Sequence, residues 1–404
     1  MIEALQQAGV EVCAVERNEL SARSVDRFDA DFVLAPNMNY ILGGMIGDKA
    51  PVTRIGRPTS MLWDDPLGAL ALYSVWKRNG RLGWLNETAN GDELECFRAL
   101  MSAPGIQHFA WDSGHVDAVL ELGLTLRESI TFHDYPTYRP FFEQGYRHNQ
   151  EPELDLSFCG NIYENLVAES NFSRDPFFAD LTERLVSRKL ARLSASMWDV
   201  FCSEVDRLDA CERNQRGLIP TRSEFWDYYL YAVWLVANTR VRIGLMTQIE
   251  HPVDVFGMFG DPESRELLSR YPTLRFVGDR HGYAELPATY AATRVNLCIS
   301  NGLIYEGLPV KFLECVASGG FALVDFKADL LGLLGEDVRA VMFDNADELN
   351  RKIEYFLARP GERREIVETL RPLIERRCTA ATMMSLVADR RRGDRAREAR
   401  TSAL

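Results

Sequence analysis

Short apolar runs recur along the chain, bounded by polar or glycine-bearing stretches and alternating with longer runs of helical period. Asp31–Ala35, Gly105–Trp111, Ser129–Phe132, Leu156–Cys159, Val253–Phe256, Leu274–Val277, Val295–Ile299 and Phe321–Phe326 are short and densely apolar, which predicts buried strands. Ile2–Ala8, His115–Leu122, Leu181–Ser194, Phe225–Val236 and a helix pair over 346–387 carry the intervening helical pattern. Phe225–Val236 is strongly aromatic, but flanking charges and short length predict a core helix rather than a membrane span. Strand–helix alternation of this kind predicts an α/β protein with parallel sheets. The opening strand and glycine turn that normally precede the first helix of a Rossmann-like domain do not stand ahead of Ile2–Ala8, so either the start codon is assigned late or that domain lacks its first strand.

One segment stands apart, Arg294–Phe326. After the strand Val295–Ile299 comes a loop with Gly302 and Gly307, then a short helix with Pro309 at its first position and Gly319 just past its end, then the next strand. Glu306 lies in the loop and Glu314 on the helix. Glu3 with Glu11, and Glu87 with Glu95, share that spacing, so spacing alone means little. Position is what distinguishes Glu306 and Glu314: they follow the C-terminal end of a predicted buried strand, where open α/β sheets bind ligands. A helix N-terminus suits a phosphate, and carboxylates beside it suit sugar hydroxyls. Together they describe a site for a nucleoside diphosphate-sugar.

Length and charge narrow the picture. At 404 residues the chain suits two domains. The polar stretch Arg147–Asp155 (RHNQEPELD) predicts a linker, with one domain over 1–150 and a second over 151–388 that holds a helical insertion at about 176–238. The charged stretch 389–404 predicts a disordered tail. A net charge of −13 and a pI of about 5.1 argue against a general nucleic-acid binder. The 8 cysteines form no C-x-x-C pair and read as reduced core thiols, which points to the cytoplasm. No apolar stretch is long enough for a transmembrane segment, and no Cys/His cluster or carboxylate set suggests a metal.

From about Leu274 to Ile366 the chain resembles the C-terminal half of GT-B glycosyltransferases, in particular the CgeB-like group of Glyco_trans_1 relatives. The matching pieces are FVGDRHGYAELPATYAATRVNLCIS, EGLPVKFLECVASGGFALVDF and DELNRKIEYFLARPGERREI, in order and at matching spacing. Weaker resemblance reaches LSFCGNIY and the WDDP at Trp63–Pro66. The resemblance implies two Rossmann-like domains with parallel sheets facing across a cleft. It also implies a nucleotide-sugar donor as co-substrate with no further cofactor, and a final helix that returns to the N-terminal domain. The acceptor, a glycan, protein or small molecule, is expected on that domain.

The resemblance also implies roles. Glu314 accepts the ribose hydroxyls of the donor, and Glu306 contacts the transferred sugar. The backbone around Gly302, Leu303 and Ile304 approaches the diphosphate, with Gly160, Gly307 and Leu308 completing the donor site. Arg280, His281 and Tyr283 lie beside the base. The loop after the first strand of the second domain, CGNIYENL, lacks the basic residue expected there. Lys311 is the first candidate to neutralise the leaving group, ahead of Arg280, Arg242 and Arg174. In the N-terminal domain, Asp64, Asp65 and His115 are the nominees if the reaction needs a base. The expected activity is metal-independent sugar transfer with retention. A degenerate nucleotide- or glycan-binding scaffold and a sugar-nucleotide epimerase are the alternatives.

Overall fold

The computed structural model describes residues 33–36, 58–63, 101–121, 123–144, 152–160, 176–215, 240–257, 268–280, 282–300 and 304–401, with a few isolated positions besides. The chain divides into two compact units, one of Met1–Trp84, Thr88–Pro136 and Arg376–Leu404, the other of Leu85–Glu87 and Thr137–Glu375.

The first unit is built on four parallel strands in the order β1-β2-β3-β4. They are β1 (Val33–Pro36), β2 (Thr59–Trp63), β3 (Ile106–Ala110) and β4 (Ile130–Phe132). Helix α1 (Ser113–Glu121) connects β3 to β4. Met61, Phe109 and Ala110 are fully buried, as continuous apolar strands of a parallel sheet require.

The second unit opens with α2 (Arg139–Gln144), which packs on helices of this unit and so draws the boundary to Pro136–Thr137 rather than to the polar stretch around residue 150. Strand β5 (Leu154–Cys159) precedes the helices α3 (Pro176–Ala191), α4 (Met197–Asp206) and α5 (Ala210–Gln215). The buried Glu204 of α4 holds Arg184 and Arg188 of α3 at 3.2 and 2.5 Å and Arg207 at 3.1 Å, tying the first two helices together. The aromatic stretch Phe225–Val236 lies outside the described residues. Strands β6 (Val253–Gly257) and β7 (Leu274–Asp279), helix α6 (Gly282–Ala291), β8 (Thr293–Cys298), α7 (Val310–Ala317), β9 (Ala322–Asp325), α8 (Ala328–Leu334) and β10 (Met342–Phe343) follow. The six strands are all parallel, in the order β10-β9-β8-β5-β6-β7.

Side-chain polarity inside this sheet is spent on register. The Asn296 side chain on β8 donates to the carbonyls of Tyr290 and Phe321, each at 3.0 Å, and its oxygen accepts from Ser157 on β5 at 3.1 Å. Glycines close the turn into β9. Gly319 has φ of 81°, and a Cβ on Gly320 would stand 2.7 Å from the Tyr290 carbonyl oxygen, so only glycine passes there.

The C-terminal region contains three helices where the sequence predicted a pair: α9 (Ala346–Leu357), α10 (Pro360–Arg377) and α11 (Ala380–Thr401). The last belongs to the first unit, where Met383, Met384 and Val387 pack against Leu62 and Phe109. It runs through Thr401, so most of the tail expected to be disordered from residue 389 is helical. Its charge did not unwind it because Arg391 is buried, donating to Ser60 Oγ at 2.8 Å, to the Gly105 carbonyl at 3.3 Å and to the Thr59 carbonyl. Among the described residues no helix is long and apolar enough to cross a membrane.

Candidate functional site

In the second unit the chain runs outward from β5 through β6 to β7, then returns to lay β8 on the other side of β5. Strand order reverses between β5 and β8, and the C-terminal ends of those strands open a crevice of the kind that takes ligands. Gly160, Arg280 and Ile304–Leu308 lie just beyond the C-terminal ends of β5, β7 and β8, and Lys311 and Glu314 lie on the helix that follows β8.

Helix α7 follows β8. Pro309 is its N-cap and offers no side-chain cap to the first turn, where the Phe312 N–H donates to the Pro309 carbonyl at 2.9 Å. Its buried face, Phe312, Leu313, Cys315 and Val316, fixes the helix on the sheet. That packing turns Lys311 toward β5. Its ammonium donates to the Cys159 carbonyl at 2.5 Å and stands 5.5 Å from the centre of the Phe158 ring. It lies so close to Gly160 that a side chain there would displace it. Burial and the charge of Arg242 lower the Lys311 ammonium to about 8. One turn on, burial lifts the Glu314 carboxyl to about 7 against the pull of Lys311. The helix therefore presents a cation and a carboxylate that both titrate near neutrality, in surroundings where each charge acts strongly.

Two arginines flank this pair. Arg242, on the helical stretch 240–247, donates to the Ile299 carbonyl at 3.0 Å and lies 5.7 Å from the Phe158 ring. Arg280, just past β7, sits 4.8 Å from the Phe256 ring, with its backbone N–H on the Gly257 carbonyl at 2.8 Å. Its charge and that of Lys311 are both felt at Cys159, whose thiol burial nonetheless pushes up to about 12. The buried Tyr290 hydroxyl has no hydrogen-bond partner among the described residues.

The Glu306 backbone carbonyl accepts from the Asp329 N–H at 3.0 Å. The charge of Glu306 is felt by Lys189, whose ammonium burial and nearby Lys327 lower to about 7, with Glu306 and Asp325 pulling the other way. Ile304, Gly307 and Leu308 are buried, which leaves their backbone rather than their side chains for a ligand. The sequence reading missed Lys189, Asp325 and Lys327. The last two lie at and just past the C-terminal end of β9, the same positional signal that singled out Glu306 and Glu314.

In the first unit, Asp112 and His115 follow β3 and are buried. Asp112 accepts from the backbone N–H groups of Gly114 at 2.9 Å and His115 at 3.3 Å, so it caps α1. The His115 Nε2 is 3.6 Å from its other oxygen, and the Trp111 ring is 6.4 Å from the imidazole. Asp64, Asp65, Arg174, His281, Gly302 and Leu303 lie outside the described residues, as does the Tyr283 side chain.

Residues 244–388 match the glycosyl transferase-like family. That segment is glycosyl transferase-like. The matched segment begins just before β6 and ends within α11, so it takes in Glu306, Lys311 and Glu314. Among solved structures, this chain is similar to the sucrose-phosphate synthase of Thermosynechococcus elongatus, at 12% identity over 97% of this chain and 82% of that one, with a TM-score of 0.49. A glycosyltransferase from Rickettsia africae gives 8% identity, 95% and 83% coverage and a TM-score of 0.48. HepE of Anabaena in complex with UDP-glucose gives 13%, 91%, 80% and 0.48. No curated protein matches this chain.

Proposed function

We propose that the chain is a GT-B glycosyltransferase of the CgeB-like group that acts in the cytoplasm and moves a sugar from a nucleoside diphosphate donor to an acceptor with retention and without a metal. The observation that carries the reading is the placement of Lys311 and Glu314 on one short helix at the point where strand order reverses. Lys311 brings to Gly160, from a different element, the cation that the loop after β5 lacks in sequence. There it meets a donor diphosphate and neutralises the departing nucleotide. Glu314, one turn along, accepts the ribose diol. Glu306 acts on the sugar, where its charge favours positive character at the anomeric carbon. In a retaining front-face reaction the departing phosphate takes the acceptor proton, so no protein base is required. Asp64, Asp65 and His115 are the side chains of the first unit to test if the product proves inverted.

The test begins with thermal shift and calorimetry against UDP, GDP, ADP and dTDP, with UDP-glucose as the first complete donor. A site-specific nucleotide at a hundred times its dissociation constant raises stability by about 2.7 kcal/mol. Glu314→Gln then loses a charged acceptor, costing about 1.5–3 kcal/mol of binding. Unchanged affinity in that variant removes Glu314 from the nucleotide site. Release of free nucleotide from the donor, slow but measurable, separates an enzyme from a binding scaffold, and a sugar epimer formed from donor alone indicates an epimerase.

A further inference from the structure

The loop between β8 and α7 carries Glu306, and beside the Arg242 bond to Ile299, four hydrogen bonds link its residues to one short segment, 325–329. At the start of the loop the Ser300 N–H donates to Asp325 Oδ1 at 2.8 Å. At its end the Lys327 ammonium donates to the carbonyls of Ile304 and Tyr305, each at 3.2 Å. The same ammonium stands 3.6 Å from Asp325 Oδ2. The Asp329 N–H then donates to the Glu306 carbonyl at 3.0 Å. Asp325 is 7% exposed and Lys327 4%, so the pair is isolated from water and its interactions are correspondingly strong.

We infer that Lys327 and Asp325 are positioning residues that set Ser300 and the segment Ile304–Glu306, and through it the carboxylate of Glu306, rather than a pair that merely stabilises the sheet. Several observations support this. A pair serving stability alone has no need to spend an ammonium on two successive loop carbonyls, and a buried ion pair is weak evidence of stability. The carbonyls engaged belong to the residues directly before Glu306. The Asp325 carboxylate reaches Ser300, at the other end of the same loop. A catalytic carboxylate carried on a loop needs such support, because loops place groups less accurately than strands or helices do. The inference rests on the donor-site reading for what the loop does, but not for how the loop is held.

The experiment uses the full-length chain and the variants Lys327→Met, Lys327→Arg and Asp325→Asn. Hydrogen exchange by mass spectrometry is read on peptides covering 300–309, against peptides from β5 and β6, without ligand. In parallel, release of UDP from UDP-glucose is followed at steady state. Lys327→Met and Asp325→Asn are expected to speed exchange in 300–309 selectively and to lower kcat by about tenfold or more, with a smaller change in KM. Lys327→Arg, which still donates to the carbonyls, is expected to recover most of both. Unchanged exchange in 300–309 in folded Lys327→Met and Asp325→Asn overturns the inference. So does exchange that rises equally in β5 and β6, which marks a general core contact. Wild-type protein that releases no nucleotide from any donor defeats the donor-site reading instead, and the local exchange still decides how the loop is held.

Discussion

Lys311 donates to the carbonyl of Cys159, 152 residues earlier in the chain, and so ties the helix after β8 to the end of β5. The bond exists because the returning strand β8 pairs directly with β5. One crossover thus brings Gly160, Lys311 and Glu314 together from two distant parts of the sequence.

Lys311→Met removes the ammonium and keeps a stem able to pack against Phe158. The expected result is a loss of affinity for UDP of about tenfold or more, from one charged interaction worth about 1.5–3 kcal/mol. Uridine, which has no phosphates, is expected to bind the variant and the wild type alike. Calorimetry with both ligands checks this. An equal loss for uridine would place Lys311 at the base instead.

Binding should also depend on pH, with a sign fixed by the two perturbed groups. Glu314 sits near 7 and Lys311 near 8, so the combination of carboxylate and ammonium is most populated between those values. UDP affinity is expected to fall below about 7 as Glu314 takes a proton and above about 8 as Lys311 loses one. The ligand titrates as well, so the comparison that counts is with the variants: Glu314→Gln flattens the acid limb and Lys311→Met the alkaline one. Stability gives a second check. The folded carboxyl titrates above its ordinary 4.5, so its burial costs nothing below that pH. The cost grows as pH rises toward 7 and is complete above it. Glu314→Gln is therefore expected to melt higher than wild type at pH 8 and to lose that advantage by pH 4.

Arg391→Met addresses the last helix. Its guanidinium caps the starts of β2 and β3 by donating to Thr59, Ser60 and Gly105. Losing hydrogen bonds from a charged donor to buried acceptors is expected to cost about 1.5–3 kcal/mol. Exchange in 385–401 is expected to rise, while exchange in β5 and β8 of the other unit stays unchanged. A variant as stable as wild type would mean that the packing of Met383, Met384 and Val387 suffices to hold the helix.

That helix also shows where sequence reading stopped short. Met384, Val387 and Arg391 fall on one helical face, so the arginine continues a buried stripe. Composition hid this, because a run of arginines and acids reads as solvated. The strands were legible for the opposite reason: a parallel sheet covered on both sides leaves continuous apolar runs such as Val253–Phe256, and these fell within a residue or two of β6, β8 and β9. Strand β10, Met342–Phe343, is too short to leave such a run. Glu306, Lys311 and Glu314 were legible because chain order alone puts them just past a strand. The reach of Lys311 to Cys159, and of Lys327 to Ile304 and Tyr305, depends on which strands are neighbours, and chain order does not state that.

Glu306→Gln separates the two glutamates by function. The charge of Lys311 is felt at Glu314, whereas that of Glu306 is felt at Lys189, beside Lys327. If Glu306 acts on the sugar, the variant binds UDP with nearly wild-type affinity, since free diphosphate offers it nothing to hold. Turnover of UDP-glucose falls, because the lost charge matters chiefly as positive character develops on the sugar. A loss of about 2.7–4 kcal/mol, or a hundredfold to a thousandfold in kcat, is the scale for removing one preorganised electrostatic group. The measurement pairs calorimetry on UDP with steady-state rates on UDP-glucose. Wild-type rates would remove Glu306 from the site. A large loss of UDP affinity in a folded variant would move it to the nucleotide end, and the two glutamates would then no longer divide the donor between them.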